Sequence, residues 1–267
     1  MEKKIGFIGA GNMATAIING LLKNNVVPAH KINVFDISES QLKLMAEKGI
    51  NTLARGNDVV KNSDIIVLAV KPQNYEDVLL EIKKDVDNTK IFVSIAAGIS
   101  ISYVQTTLEC DCPMVRVMPN TPLLLGKGAT ALCPSQNIGE EEFNIVKDMF
   151  ALNGTVEVFA EEHMNQIIAV NGSSPAYVYL FAKAMADYAQ ECGIPYENAL
   201  NLVVATLEGS AAMLRDSGDS PDTLIKKVSS PGGTTIAALN TLEEYKFYEG
   251  VKSAMASCTR RAEELGK

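Results

Sequence analysis

Ile5-Gly6-Phe7-Ile8-Gly9-Ala10-Gly11-Asn12-Met13-Ala14 sets a Gly-x-Gly-x-x-Ala pattern directly after a short apolar run and directly before a helix-like stretch. Strand, tight turn and helix in that order make a finger for the pyrophosphate of a dinucleotide. Gly9 permits the turn, Gly11 lets the phosphates approach backbone, and Ala14 is small enough for the helix to pack on the strand. Ile8, Gly9, Ala10, Gly11, Asn12 and Met13 are therefore expected at the cofactor.

The register holds further along the chain. Lys4–Ile8, Met13–Lys23, Ile32–Phe35 and Glu39–Lys48 alternate strand-like and helix-like runs, and Ile65–Ala69, Ile91–Ile95 and Met114–Val117 are apolar enough to be buried on both faces. This alternation predicts a parallel sheet, with Thr155–Phe159 as a possible last strand. Asp36 closes the second strand, where a carboxylate would hold a ribose 2′-hydroxyl and repel the extra phosphate of NADP, so the local reading favours NADH over NADPH. A competing reading has Asp36 open a turn with Ser38. Ala69-Val70-Lys71-Pro72 and Ala96-Ala97-Gly98 end two later strands, at the sheet edge where doubly wound folds bind ligands.

Bulk properties set limits on the function. The 267 residues carry a net charge of -8 and 47% hydrophobic residues. That leaves ample core for one large or two modest domains and argues against a nucleic-acid polyanion or an anionic membrane as partner. Cys110, Cys112, Cys133, Cys192 and Cys258 are odd in number and unpaired in spacing, which reads as reduced thiols in a cytoplasm. Glycines interrupt the first apolar stretch, so it does not read as a leader. His30 and His163 lack ligand partners at a recognisable interval, so no metal site is expected.

From about residue 163 the texture becomes helical, with Ala, Leu, Met and charges at helical intervals, which divides the chain into 1–162 and 163–267. Helices are predicted at Ala176–Glu191, Tyr196–Leu214, Pro221–Val228, Ile236–Glu244 and Phe247–Leu265. Surfaces this rich in Ala and Leu suit an intersubunit bundle, the alternative being a self-contained bundle packed on the sheet domain. Val228-Ser229-Ser230-Pro231-Gly232-Gly233-Thr234-Thr235-Ile236-Ala237-Ala238 joins the third of these helices to the fourth. Its glycines let backbone approach a ligand, the helix mouth offers unpaired N–H groups, and its hydroxyls donate and accept, which suits a small amino-acid carboxylate.

Taken together, these segments resemble the pyrroline-5-carboxylate reductase family nearly end to end. The resemblance rests on Phe7–Met13, Ala69-Val70-Lys71-Pro72, Ala96-Ala97-Gly98, Met118-Pro119-Asn120-Thr121-Pro122, Ser173-Ser174-Pro175-Ala176-Tyr177 and the Ser229–Ile236 segment. It implies an α/β fold, an N-terminal Rossmann domain followed by an all-α dimerisation domain, and reduction of the imine of 1-pyrroline-5-carboxylate to L-proline with NADH or NADPH. It further implies that Thr235 bonds the ring nitrogen, that the carboxylate is held around Ser230, Gly232, Gly233 and Thr234, that Asn57 and Asn120 meet the cofactor, and that dimers build larger rings such as decamers. Ser174 and Asn165 depart from the family pattern, which has Gly and Asp there. Gly56 stands where the family often has a ribose-binding Asn, with Asn57 one step away.

Hydride would pass to an imine carbon activated by the protonated ring nitrogen, so the protein mainly positions reactants, with Thr235 as orienter and possible proton relay. A plainer role for Thr235 is to cap the following helix. Two other readings stay open. One is a hydroxyacid dehydrogenase of the 6-phosphogluconate type, for which Lys183 stands well down its helix; the other is a nucleotide-binding regulatory protein without turnover.

Overall fold

Eight strands make one sheet in the computed structural model, which describes residues 2–266. In chain order they are β1 (Ile5–Ile8), β2 (Ile32–Phe35), β3 (Asn51–Thr52), β4 (Ile65–Leu68), β5 (Ile91–Ser94), β6 (Met114–Met118), β7 (Gly128–Pro134) and β8 (Gly154–Val158). The spatial order is β3-β2-β1-β4-β5-β6-β7-β8. β1 to β6 are all parallel, in the doubly wound order that switches direction beside β1. β7 runs antiparallel to β6 and carries β8 parallel to itself, which the sequence reading did not anticipate.

Helices α1 (Asn12–Lys23), α2 (Glu39–Ala46), α3 (Gly56–Lys61), α4 (Tyr75–Ile82), α5 (Ile101–Leu108) and α6 (Glu140–Ala151) flank the sheet. The period-two rule explains how β1, β4 and β5, buried on both faces, serve two cores. Phe7, Val67 and Val93 pack with Ile17, Ile18 and Leu21 of α1 and with Phe150 of α6. Ile8, Ile66 and Phe92 pack with Val59 of α3, Leu79 of α4 and Val104 of α5. At Gly6 a Cβ would stand 2.5 Å from Val59 Cγ1, so only glycine admits α3 this close to the strand.

After β8 the chain is helical throughout: α7 (Met164–Ile167), a π turn at Ile168–Gly172, then α8 (Ser174–Glu191), α9 (Tyr196–Asp216), α10 (Pro221–Lys227), α11 (Thr234–Glu244) and α12 (Phe247–Leu265). By contact the molecule divides into two units, residues 1–173 with 256–267, and residues 174–255. The division falls at 173/174, where composition suggested 162/163, and α12 is shared between the units.

Within the helical unit α8 and α9 form a hairpin. Gly193, at φ +84°, ends α8 by donating to the Gln190 carbonyl, and Pro195 leads into α9. These two helices bury only Ala182, Ala186, Ala199 and Val203. Among the described residues no helix is long and apolar enough to cross a membrane.

Candidate active site

The carboxyl ends of β1, β2, β4 and β5 stand in register, with Ile8 beside Phe35 and Leu68, and Leu68 beside Ser94. Gly9 leaves β1 at φ +102°, donating to the Phe35 carbonyl at 2.8 Å. A Cβ there would lie 2.6 Å from the Ala69 carbonyl oxygen, so the turn and the approach to β4 both demand glycine. Gly9 thus meets Ala69 and Val70, two segments the sequence reading had joined only by analogy.

Gly11 is exposed and is the N-cap of α1, with no side chain capping the helix. A Cβ on Gly11 would meet nothing within 4 Å. An open space before an uncapped helix start of twelve residues, with its N–H groups turned outward, fits a pyrophosphate. Asn12 is exposed and Met13 half-buried on the same first turn, while Ala10 and Ala14 are buried beneath it.

Asp36 does two jobs at once. One carboxylate oxygen accepts the Ala10 N–H at 2.6 Å and the other accepts the Ser38 N–H at 2.8 Å. The turn with Ser38 is therefore present, and the same carboxylate braces the finger. An ionised carboxylate has about four acceptor positions, so these two bonds leave capacity for a ribose hydroxyl.

Two residues expected at the cofactor bond within the chain. Asn57, on α3, donates its amide to the Glu81 carbonyl at 3.0 Å and to the Asp85 carboxylate at 2.6 Å. That bond, together with Lys61 3.2 Å away, holds the Asp85 carboxyl below its ordinary range. Asn57 therefore ties α3 to the end of α4 and has no donor left for a ribose. Asn120 is 7% exposed; it donates to the Asn171 carbonyl at 3.1 Å and accepts from the Ala129 N–H at 2.9 Å. Asn171 in turn donates to the Met118 and Ala129 carbonyls at 2.7 and 2.8 Å. The two asparagines clamp β6, β7 and the π turn together, a scaffold role that engages one N–H and the oxygen of the Asn120 amide.

Lys71 is exposed and Pro72 starts a short 3-10 turn, as expected beyond the end of β4. Beneath it Tyr75 donates to the Leu68 carbonyl at 2.8 Å and lies 3.0 Å from the Ser94 hydroxyl. Burial holds this phenol well above its ordinary pKa, so it remains a neutral donor joining the ends of β4 and β5. Ala96 is buried and Ala97 half-buried in the loop that follows β5.

Arg116 was missed, although a lone arginine inside the apolar run of β6 is itself a signal, because a buried cation demands partners. It is 4% exposed, lies 3.5 Å from the Glu161 carboxylate and donates to Asn165 at 2.6 Å. Burial lowers its pKa, Glu161 opposes the shift, and the guanidinium stays charged. Glu161 also accepts the Ile101 N–H at 2.6 Å, which fixes the start of α5 just beyond the Ala96-Ala97-Gly98 loop.

In the helical unit, Ser230-Pro231-Gly232-Gly233 closes a turn, with Gly232 at φ +71° and Gly233 donating to the Ser230 carbonyl at 3.0 Å. α11 starts immediately after, with Gly233 as N-cap and no capping side chain. Thr235 is thus the second residue of the helix and not its cap, which removes the plainer of the two readings given for it. The hydroxyls of Ser230, Thr234 and Thr235 bond to no partner among the described residues. Ser229 differs, donating to the Ile225 carbonyl at 2.7 Å.

Lys183 forms an ion pair with Asp187 one turn along the exposed side of α8, which leaves the hydroxyacid dehydrogenase reading without its lysine. Among the described residues no three His, Cys, Asp or Glu side chains are grouped to hold a metal.

Comparison with known proteins agrees with both units. Residues 161–265 match the family model described as pyrroline-5-carboxylate reductase dimerisation, and residues 4–98 match that of NADP oxidoreductase, coenzyme F420-dependent. The chain is 39% identical to the pyrroline-5-carboxylate reductase of Escherichia coli over 100% of both chains, and 36% identical to that of Corynebacterium melassecola over 98% of both. Among solved structures, pyrroline carboxylate reductase of Plasmodium falciparum with NADP bound superposes at a TM-score of 0.92 and 29% identity, covering 100% of this chain and 99% of that one. The Streptococcus pyogenes enzyme superposes at 0.89 and 34% identity over 98% of each. With its finger, its doubly wound sheet and its full-length likeness to these enzymes, the chain belongs to the pyrroline-5-carboxylate reductase family.

Proposed function

We propose that the chain reduces the C=N bond of 1-pyrroline-5-carboxylate to give L-proline, taking the hydride from a reduced nicotinamide dinucleotide. One observation carries the assignment of roles: α11 opens on an uncapped Gly233, with the hydroxyls of Ser230, Thr234 and Thr235 unspent beside it. A helix start of this kind attracts a carboxylate, and the hydroxyls supply the acceptors and donors that a cyclic amino acid needs. Gly232, Gly233 and Thr234 hold the substrate carboxylate through backbone N–H groups, with Ser230 closing over them.

When bound, the nicotinamide supplies the hydride that the imine carbon receives. Gly9, Gly11, Asn12 and Met13 hold the pyrophosphate at the start of α1, and Ala69, Val70, Lys71, Pro72, Ala96 and Ala97 line the groove. The ring nitrogen arrives protonated and donates to the Thr235 hydroxyl, which orients the C=N bond. No strong acid from the chain is required, because the substrate carries its own proton and the barrier falls chiefly through positioning.

Cofactor choice rests on Asp36, whose fixed carboxylate would repel a 2′-phosphate, so NADH is the preferred donor. The helical unit pairs with that of a second copy, and its exposed apolar side chains support this reading. We place the dimers in a larger ring such as a decamer, and the enzyme, whose five thiols are free, in the cytoplasm. A steady-state assay of imine reduction with NADH and NADPH side by side tests the activity and the cofactor together. Turnover of a 3-hydroxy acid, or NADH binding without consumption of the imine, would overturn the proposal.

A further inference from the structure

The loop Ile95–Ser100 is tied at both ends. On one side Ile95 donates to the Leu68 carbonyl at 3.4 Å, and on the other Ile101 is held by Glu161. Its middle is held differently. Gly98, at φ +83°, lies under the end of α12: a Cβ on Gly98 would stand 2.5 Å from the Ala262 carbonyl oxygen, 3.1 Å from the Gly266 nitrogen and 3.2 Å from Leu265 Cβ. The contact is reciprocal, since a Cβ on Gly266 would stand 2.2 Å from the Gly98 carbonyl oxygen. Two glycines 168 residues apart in the sequence thus meet backbone to backbone, closer than any side chain permits. The same stretch of helix is anchored again where Cys258 donates to the Ser173 hydroxyl at 3.3 Å. Ala262 is buried, so this end of α12 is packed.

We infer that the last turn of α12, seated on Gly98, is a positioning element for the cofactor loop, so that the C-terminal residues set the affinity for the nicotinamide dinucleotide. This rests on the reading that Ala96 and Ala97 line the cofactor groove. The loop has no helix or strand of its own; Ala96 and Ile99 are buried in the core, and Gly98 between them meets the end of α12. The α12 contact meets Gly98 backbone to backbone, and a support displaced by about 1 Å costs on the order of tenfold or more in a positioned site.

The test compares four forms of the full enzyme: the parent, Gly266→Ala, a chain ending at Glu264, and Ala97→Leu. Fluorescence titration gives the NADH affinity, steady-state kinetics give the imine KM, and thermal unfolding gives the midpoint. The expected result is roughly tenfold weaker NADH binding in Gly266→Ala and in the shortened chain, with the imine KM and thermal midpoint close to those of the parent. Ala97→Leu should weaken NADH binding as well. If Ala97→Leu weakens binding while both C-terminal variants match the parent, the strap is overturned and the cofactor loop stands. If all three match the parent, the loop reading and the strap fall together. A loss of cofactor affinity accompanied by a rise in imine KM and a fall in thermal midpoint also counts against positioning.

Discussion

The sheet unit buries Phe7, Phe92 and Phe150 almost completely, whereas the helical unit leaves Tyr179, Leu180 and Leu202 at 62%, 68% and 71% exposure. Both units are rich in apolar residues, and only the first uses them to fold its own chain. A hairpin that buries two alanines on one helix and an alanine and a valine on the other excludes little water at about 25 cal/mol per Å2. It resembles a core cut in half, the composition of an obligate interface. The sheet unit carries its glycine finger on a rigid edge, and the helical unit carries the proposed substrate loop beside helices whose apolar side chains are exposed.

The widest consequence concerns assembly. In the double variant Leu180→Glu, Leu202→Glu, two carboxylates per chain would be buried unpaired on a twofold interface, each at a cost of several kcal/mol. Sedimentation should show monomers at concentrations where the parent is associated. Retained association would show that this face is not the contact and that the two units differ less than their burial suggests. Next in size is Phe92→Ala, which opens a cavity in the core shared by β5, α4 and α5. It should cost roughly 3–5 kcal/mol of unfolding free energy in denaturant, without changing the oligomeric state. A small loss there would deny the sheet unit its self-sufficiency.

The sequence revealed the sheet unit well where pattern and chemistry coincide. The finger was legible because glycines, strand and helix must occur together, and β1, β4 and β5 because strands buried on both faces have no polar alternation. β7 was missed: Gly128-Ala129-Thr130-Ala131-Leu132 has few β-branched residues, and its antiparallel pairing with β6 is a tertiary choice. Asn57 was named from the resemblance alone, one step from the family's ribose position, and only the fold brings the Asp85 carboxylate to its amide. Arg116 and Glu161, separated by 45 positions, had no shared motif to announce their pairing. In the helical unit the hydroxyls at the mouth of α11 were legible, and the helix start was two residues earlier than expected, because threonine at a first turn can cap or continue.

Substitutions at the two ligand loops sharpen the comparison at a smaller scale. Thr235→Ala should lower turnover of the imine about 10- to 100-fold, with NADH binding nearly unchanged, since the hydroxyl belongs to the helical unit and orients the other reactant. An unchanged rate removes Thr235 from the mechanism. Asp36→Ser should instead leave the imine KM alone and move the ratio of NADPH to NADH efficiency upward by about tenfold, near 1.4 kcal/mol. A parent that already prefers NADPH would refute the role given to this carboxylate.

The smallest effect is a titration confined to the sheet unit. Burial pushes the Cys112 thiol up to about 12. In the unfolded chain the same thiol ionises near pH 8.5 to 9. The folded state therefore keeps a proton that the unfolded state has lost, and stability falls as pH rises between these values. The slope is at most about 1.4 kcal/mol per pH unit for one thiol, and the contribution is complete below the unfolded value. From pH 8 to pH 9.5 the loss from this thiol should be about 0.8 to 1.3 kcal/mol, and Cys112→Ala should flatten the pH dependence whatever it costs at neutral pH. Denaturant midpoints across that range measure it. An equal slope in Cys112→Ala would assign the titration to the other thiols that burial raises, Cys110 and Cys133, and Cys112 would no longer mark the contrast between a dry interior in one unit and an open apolar face in the other.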